Sequence, residues 1–250
     1  MKKKTKINAA ILIIGNEILS GRTQDTNTAT LSIWLNSLGI KLQEVRTIPD
    51  VEKTIIETVN ELRKKYNYIF TTGGIGPTHD DITALSVSKA FDVEYGPHKE
   101  AMSILEKYYK PGEFNEGRQK MAHMPLNAKL ILNPTSGAPG FYIENVYCLP
   151  GVPSILKSML GGITNKLVGG EPIQSMTINL RTVESEIAKS LKKVQEENNE
   201  VEIGSYPFFK AGKLGVAIVL RSIDQNKINK CNTEITQFVK QKEIEIISND

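Results

Sequence analysis

The sequence predicts a three-layer, doubly wound α/β fold with a parallel or mixed sheet, followed by a second, smaller α+β domain of the ferredoxin-like kind. Two observations carry this prediction. Residues 9–72 alternate strand, helix, strand, helix, strand, which is typical of a parallel sheet covered by helices. Beyond the Gly-Gly-Glu-Pro segment at 169–172, the order becomes strand, helix, strand, strand, helix, strand. We therefore expect a first domain at 1–170 and a second at 171–250.

The first five elements follow from hydrophobic periodicity and capping residues. An unbroken apolar run at 9–14 is typical of a strand that is buried on both faces. Asp25 or Thr26 can cap the first helix, and Gly39 ends it. The expected elements are strands at 9–14, 41–48 and 68–72, with helices at 25–38 and 51–65 between them.

The remaining elements of both domains are predicted in the same way. In the first domain we expect helices at 82–91, 99–109, 117–122 and 154–167, a strand at 129–132, and a hairpin at 140–144 and 146–149 that turns at Asn145. Residues 110–127 are otherwise irregular in pattern. In the second domain we expect strands at 175–181, 201–205, 215–222 and 244–247, and helices at 183–197 and 225–241.

Composition and charge exclude several classes of protein. No run approaches the roughly 18 apolar residues that a membrane span needs, and the apolar run at 7–15 lacks the cleavage site of a signal peptide. The net charge of +3 includes the lysines at 2–4 and 6, which we expect to form a solvated terminus, and no basic stripe suits nucleic acid. Cys148 and Cys231 are not in a metal-binding spacing. These features predict a cytoplasmic protein with buried thiols that binds neither membranes nor nucleic acid.

The most informative segment is 71–83, with the sequence TTGGIGPTHDDIT, directly after the third predicted strand. Three glycines within four positions allow backbone N–H groups to approach a phosphate. The adjacent carboxylates of Asp80 and Asp81 would repel that phosphate unless a cation lies between them. The segment therefore predicts a phosphorylated ligand that is handled with a metal ion. The expected ligand-binding residues of this loop are Gly73, Gly74, Gly76, Pro77 and Thr78.

Carboxylates also follow the first two predicted strands. Glu17, next to Asn16, lies in the loop after the first strand, and Asp50 follows the second. In an open parallel sheet, ligands bind beyond the carboxyl ends of the strands, where the strand order reverses. If that order begins 2-1-3, the three loops meet at one edge. We expect Asn16 to contact the ligand. Glu17, Asp80 and Asp81 are the expected metal ligands, and Asp81 and Asp50 the expected catalytic residues.

Each of these residues also has a structural explanation. Asp80 and Asp50 could cap helices, and Glu17 could lie in a surface turn. The glycines could build a tight turn without any ligand. The loop is not a P-loop, because no lysine lies between Gly73 and Asp81, and its glycine spacing is not that of the dinucleotide fingerprint. A conventional kinase or dehydrogenase is therefore disfavoured.

Two further glycine-rich turns are candidates for ligand binding. The first, at 133–140, contains Gly137 and Gly140. The second begins with Pro150 and Gly151 and leads into a predicted helix, where free N–H groups can bind an anion. For both turns, a rigid connection without a ligand is the alternative.

Five motifs in this order resemble the MoaB/Mog molybdopterin-binding domain superfamily, and within it the branch that contains the N-terminal part of CinA. They are GNEILSG at 15–21, DTNTATLSIWLNSLGI at 25–40, TTGGIGPTHDDIT at 71–83, NPTSGAPGF at 133–141 and LPGVP at 149–153. The segment Lys120-Met121-Ala122 is similar to the N-terminal domain of eukaryotic FAD synthase. Ile155 departs from the glutamate that is usual in CinA at this place.

The resemblance implies a pyrophosphatase that uses a divalent metal (Mg²⁺, Mn²⁺ or Co²⁺) to hydrolyse a dinucleotide diphosphate such as ADP-ribose or FAD. By resemblance, Asp80 and Asp81 match carboxylates of the family's glycine loop, and Asp50 matches an aspartate of adenylyl-transferring relatives. It also implies a nucleotide or pterin ligand and a homo-oligomer. Two alternatives stay open: a molybdopterin-binding protein or molybdopterin adenylyltransferase, and a non-catalytic module that binds nucleotide or pterin.

Overall fold

The computed structural model describes residues 7–210 and 212–247, and residue 210 is described by its backbone alone. The lysines at 2–4 and 6, expected to form a solvated terminus, lie outside the described residues. The chain divides into two compact units between Gly170 and Glu171. Each unit has its own sheet and its own hydrophobic core.

The first unit holds the elements that follow the β-α-β-α-β pattern. Its strands are β1 (Asn8–Ile14), β2 (Lys41–Ile48), β3 (Tyr68–Thr72), β4 (Tyr95–Pro97), β5 (His123–Pro125), β6 (Lys129–Ile131), β7 (Gly140–Ile143) and β8 (Val146–Leu149). Its helices are α1 (Asn16–Leu19), α2 (Asn27–Ser37), α3 (Glu52–Lys65), α4 (Thr83–Ala90), α5 (Lys99–Tyr108), α6 (Glu116–Lys120), α7 (Pro153–Met159) and α8 (Gly161–Thr164).

The main sheet has the strand order β2-β1-β3-β8-β7-β6. The first four of these strands are parallel, whereas β7 runs antiparallel to β8 and β6 antiparallel to β7. The order begins 2-1-3 as expected, so the carboxyl ends of β1, β2 and β3 lie at one edge. The mixed sheet and its helices confirm the predicted α/β class.

The residues of β1 explain why helices cover both faces of the sheet. Successive side chains of a strand point to opposite faces. The even-numbered residues from Ala10 to Ile14 pack in a core with α3, α4 and α5. The odd-numbered residues from Ala9 to Ile13 pack in a second core with α2, α7 and α8. An unbroken apolar run is therefore what this central position requires.

Three parts of the first unit differ from the prediction. β4 and β5 form an antiparallel two-stranded ribbon that was not predicted, because strands of three residues are too short to show alternation. The loop after β1 contains the single-turn helix α1. The helix predicted at 154–167 is instead two helices that meet at Leu160. The next two residues, Gly161 and Gly162, have a low helix propensity, which accounts for the break.

The second unit has the split β-α-β-β-α-β arrangement that the sequence predicts. Its elements are β9 (Gln174–Leu180), α9 (Glu184–Glu197), β10 (Glu202–Lys210), β11 (Lys213–Ser222), α10 (Gln225–Gln241) and β12 (Ile246–Ile247). The strand order is β10-β11-β9-β12, and every neighbouring pair is antiparallel. β10 continues beyond the predicted end at residue 205 because it stays paired with β11 as far as residue 210. Apolar residues of α9 and α10 pack against this sheet.

The structure tests two expectations drawn from composition: that the cysteines are buried and that no helix spans a membrane. Cys148 in the first unit and Cys231 in the second are free and buried, as predicted. Burial raises the pKa of the Cys148 thiol to about 12 and that of the Cys231 thiol to about 11. Within 7–210 and 212–247, no helix is both long enough and apolar enough to cross a membrane.

Candidate functional site

The carboxyl edge of the main sheet joins the loops that follow β1, β2, β3 and β8. The backbone N–H of Asn16 donates to Oδ2 of Asp50 at 2.8 Å, which ties the loop after β1 to the loop after β2. The N–H of Gly73 donates to the carbonyl oxygen of Leu149 at 3.1 Å, which ties the glycine loop (residues 71–83) to the end of β8. The structure therefore brings Asn16, Asp50 and the glycine loop to one edge of the sheet. Ligands of open parallel sheets bind at this edge, where the strand order reverses.

The glycine loop passes so close to β1 that residue 73 has no room for a side chain. Gly73 has a φ of +99°, and a Cβ at this position would lie 2.1 Å from the carbonyl oxygen of Ile14. Gly151 lies against it, since a Cβ on Gly151 would be 3.4 Å from the Gly73 Cα. Asn27 fixes the same turn, because its Nδ2 donates to the Gly151 carbonyl at 2.8 Å. Pro150 is partly buried just before this turn.

Three successive backbone N–H groups of the glycine loop are open to a ligand. The N–H groups of Gly74, Ile75 and Gly76 have no acceptor within the part of the chain that the structure describes. Gly74 has a φ of +67°, and its carbonyl oxygen accepts from the N–H of Thr83 at 2.9 Å. Consecutive free N–H groups in such turns form concave sites for anions. These residues, rather than Gly73, are therefore the donors that the loop offers.

Asp81 closes the far end of the glycine loop. Its Oδ2 accepts hydrogen bonds from the backbone N–H of Thr78 at 2.7 Å and from the Thr78 hydroxyl at 2.5 Å. The ammonium group of Lys120, at the end of α6, donates to the carbonyl oxygen of Thr78. Pro77 and Asp80 are exposed at the tip of the loop. Asp81 is therefore a structural acceptor for its own loop as well as a candidate ligand.

The carboxyl group of Asp80 has a lowered pKa. The main cause is hydrogen bonding by the Thr78 side chain, followed by the N–H of Asp80 itself, with smaller effects of the charges on His79 and Lys120. The Thr78 hydroxyl has a single proton, so its bond to Asp80 competes with its bond to Asp81. Asp80 is ionised and accessible to solvent at neutral pH.

A small cavity opens beside the free N–H groups. Its polar wall is made by Gly74, Gly76, Asp81, Lys120 and His123. Its apolar wall includes Met121, Phe141 and Pro139. An anion in this cavity would meet both the backbone N–H groups and a lysine.

A second cavity lies between the loop after β1 and the start of α2. Its lining includes Glu17, Asp25, Asn27, Gly73 and Gly151. Asp25 caps α2, as predicted, because its Oδ1 accepts from the N–H of Asn27 at 2.9 Å. The side-chain oxygen of Asn27 is buried and has no hydrogen-bond partner among the described residues. This wall is rich in acceptors, so it suits a ligand group that donates hydrogen bonds.

The three predicted metal ligands are not grouped together. The described residues contain no cluster of three or more His, Cys, Asp or Glu side chains that could hold an ion. The carboxylate of Glu17 lies over Gly15, where a Cβ would be 2.5 Å from its Oε1, and Asp81 is bonded to Thr78. The structure does not bring Glu17, Asp80 and Asp81 into one cluster, and their role as metal ligands stays a prediction. Asp80 and Asp81 remain hard oxygen donors, which suit an ion such as Mg²⁺ that takes one or two carboxylates, waters and substrate phosphate oxygens.

The turn at 133–140 is held by hydrogen bonds between its own residues. The side chain of Asn133 accepts from two backbone N–H groups of the turn and donates to the carbonyl of Ala138 at 2.9 Å. Gly137 has a φ of +75°, and a Cβ there would lie 2.6 Å from Cγ of Tyr108. A Cβ on Gly140 would lie 2.5 Å from a carbonyl oxygen of β8. Packing therefore accounts for both glycines without a ligand.

The sequence does not mark two residues of this site, Lys120 and Asn27, as candidate ligands. Lys120 contacts Thr78 across 42 positions of the chain, and Asn27 contacts Gly151 across 124. Such long-range pairs leave no local pattern. The available signal for Asn27 was its place at the start of a helix whose apolar face packs on β1.

Comparisons with known proteins agree with this architecture. A family model described as a probable molybdopterin binding domain matches residues 10–169, and a model described as the middle domain of FAD synthase matches residues 172–247. A protein of Archaeoglobus fulgidus is 33% identical over 232 residues, which are 93% of this chain and 98% of that protein.

A CinA-like protein and a CinA protein of known structure are also similar to the chain. A CinA-like protein of Geotalea uraniireducens is 40% identical over 157 residues, which cover 60% of this chain but 37% of that protein. A crystal structure of CinA from Thermoplasma acidophilum, a protein described as of unknown function, is 28% identical with a TM-score of 0.61, covering 65% of this chain and 99% of that one. Because the first family model matches well over half of the chain and the Archaeoglobus relative aligns along nearly all of it, the chain belongs to the MoaB/Mog family of probable molybdopterin binding domains, with CinA-like relatives.

Proposed function

We propose that this protein is a metal-dependent nucleotide pyrophosphatase that hydrolyses a dinucleotide diphosphate such as ADP-ribose or FAD. One observation carries the proposal: Gly74, Ile75 and Gly76, whose N–H groups have no acceptor among the described residues, line the same cavity as Asp81 and Lys120. This combination offers donors for a diphosphate and an oxygen ligand for a cation. The match of residues 172–247 to the middle domain of FAD synthase supports FAD as one substrate to test.

In this proposal each residue of the edge has a distinct task. The N–H groups of residues 74–76 bind the phosphate oxygens and hold the anhydride in place. Asp80 and Asp81 hold the divalent cation, which when bound would polarise a phosphoryl oxygen and activate water. Asp50 keeps one carboxylate oxygen for that water, because the other accepts from Asn16.

An assay of AMP release tests the proposal. The protein is incubated with ADP-ribose and with FAD, each with Mg²⁺, Mn²⁺ or Co²⁺. We expect Asp81→Asn to lower kcat by about a hundredfold or more, because it removes a charge that binds the cation. Asp92→Asn is the matched control, since Asp92 lies at the end of α4 with a φ of +54° that asparagine tolerates. No AMP with any metal, or equal rates for wild type and Asp81→Asn, would contradict the proposal.

A molybdopterin-binding or adenylyl-transferring role is the second candidate. It is favoured by the match of residues 10–169 to a probable molybdopterin binding domain. Adenylylated product from ATP and molybdopterin would support the transferase. Tight binding of a nucleotide or pterin without turnover would support a non-catalytic module instead.

The proposed cellular setting is the cytoplasm, and the proposed assembly is a homo-oligomer. The two free, buried thiols are in keeping with a reducing compartment. Light scattering of the purified protein at several concentrations measures the assembly directly.

A further inference from the structure

The glycine loop combines an anion site with two carboxylates, and this raises a problem of charge. Asp80 and Asp81 directly follow the loop whose N–H groups are open to phosphate. A carboxylate close to a phosphate disfavours binding unless a positive charge is also near. The divalent cation proposed for Asp80 and Asp81 would supply that charge only when it is bound, so a cationic side chain of the protein itself would also be needed.

Lys120 lies where this charge is needed. Its ammonium group donates to the carbonyl oxygen of Thr78, midway along the loop. It lines the same cavity as Gly74, Gly76 and Asp81.

The other cation of α6 is engaged elsewhere, and Lys120 is not. Arg118 donates to the carbonyl of Glu113, and its guanidinium lies 4.1 Å from the ring centroid of Tyr109. Lys120, in contrast, has no carboxylate within ion-pair distance in the described part of the chain. An ammonium group has three donors, so the bond to Thr78 leaves two for a ligand.

We propose that Lys120 is a phosphate-binding residue of this site, whose ammonium contacts an oxygen of a diphosphate held by the N–H groups of residues 74–76. The inference rests on the proposed function for the identity of the ligand as a diphosphate. It adds a residue that supplies positive charge from the chain itself, independently of any metal. Lys120 would therefore strengthen the binding of diphosphate groups, including inorganic pyrophosphate, even when no divalent cation is present.

Binding without metal tests this inference. Affinity for ADP-ribose and for inorganic pyrophosphate is measured by calorimetry in EDTA, for wild type, Lys120→Met, Lys120→Arg and Lys107→Met. Lys107 is an exposed lysine of α5 and serves as the matched control. We expect Lys120→Met to weaken binding about tenfold or more, as for loss of a hydrogen bond to a charged group. Lys120→Arg should stay within about threefold of wild type, and Lys107→Met should be unchanged.

A purely structural role for Lys120 gives a different result. If the lysine only fastens the loop through Thr78, Lys120→Met will expose the hydrogen-bonded amides of Thr78 and Asp81 to hydrogen exchange. That result, or wild-type affinity in Lys120→Met, would overturn the inference while the pyrophosphatase proposal survives. Binding that depends on Lys120 in a protein that releases no AMP with any metal would support the inference and end the pyrophosphatase proposal. A wild-type protein that binds neither probe in EDTA would overturn the inference.

Discussion

Gly73 illustrates how a residue of the site is fixed by backbone geometry before any ligand is considered. Its φ of +99° lies in the region that disfavours side chains, and the Ile14 carbonyl occupies the place of a Cβ. Its N–H is bonded to Leu149. Gly73 therefore sets the path of the loop, and its neighbours provide the donors for a ligand.

We predict that Gly73→Ala destabilises the protein more than an alanine at another glycine of positive φ. The clash with Ile14 adds to the cost of φ, giving a total loss of about 2 to 4 kcal/mol. Gly112→Ala is the control, because Gly112 has a φ of +86° and a Cβ there would meet nothing within 4 Å, so it should cost only about 1 kcal/mol. Urea midpoints measure both variants. Equal losses would show that the close approach to β1 is not what requires glycine.

At the scale of elements, a network of charges joins β2 to α3. Oε2 of Glu44 accepts from Nζ of Lys65 at 2.9 Å and from the hydroxyl of Tyr66 at 2.5 Å. Arg46 pairs with Glu44 and also with Glu61 of α3. These bonds, the one from Lys65 first, lower the pKa of Glu44 from 4.5 to about 2. Folding therefore favours the ionised form of Glu44.

The sign of this shift predicts how stability depends on pH. The contribution of Glu44 is complete above pH 4.5 and is lost as the pH falls towards about 2. We expect Glu44→Gln to lose about 1 to 2 kcal/mol at pH 7, after discounting for solvent. The loss should be smaller at pH 3, as measured by urea unfolding. Glu57→Gln, in an exposed pair with Lys53, should change little at either pH. A loss that is constant with pH would contradict the role of the network.

A second link between elements is made by the turn of the β7–β8 hairpin. Nδ2 of Asn145 donates to the carbonyl oxygens of Arg63 and Tyr66, both at 3.0 Å, at the end of α3. These carbonyls lie beyond the last helical hydrogen bonds and need partners. The side chain of Asn145 therefore fastens the hairpin to the helix.

We predict that Asn145→Ala costs about 2 kcal/mol, close to 1 kcal/mol for each hydrogen bond. Asn145→Asp has the same shape but no donors, and its charge would face two carbonyl oxygens, so it should be at least as destabilising. Thermal unfolding at neutral pH measures both variants. Stability of Asn145→Asp equal to that of wild type would mean that the two bonds contribute nothing.

The elements also mark what the sequence can and cannot predict. The strands with long apolar or alternating runs, the hairpin at Asn145 and the order 2-1-3 follow from local pattern and the rules of parallel sheets. The β4–β5 ribbon does not, because its strands are short and contain glycine and proline. The contacts of Lys120 and Asn27 depend on where distant segments meet. The carboxylate of Glu17, in contrast, lies over Gly15 two residues away, and its role as a metal ligand stays a prediction.

For the whole molecule, the division into two units was suggested by the change of element order near residue 170. Each unit buries its own apolar residues, and each contains one buried thiol. Cys148 lies in a core with Leu12 of β1, and Cys231 in a core with Ile218 of β11. The two thiols therefore report separately on the two units.

We predict that neither thiol reacts with a thiol reagent at pH 8 in the native protein, because both are buried and their raised pKa values keep the reactive thiolate scarce.

Leu12→Ala and Ile218→Ala each remove a fully buried side chain and should cost about 2 to 5 kcal/mol of unfolding free energy. In mild urea, Leu12→Ala should accelerate labelling of Cys148, and Ile218→Ala that of Cys231. Mass spectrometry of the peptides assigns each label. If either substitution accelerates both thiols equally, the two cores unfold as one.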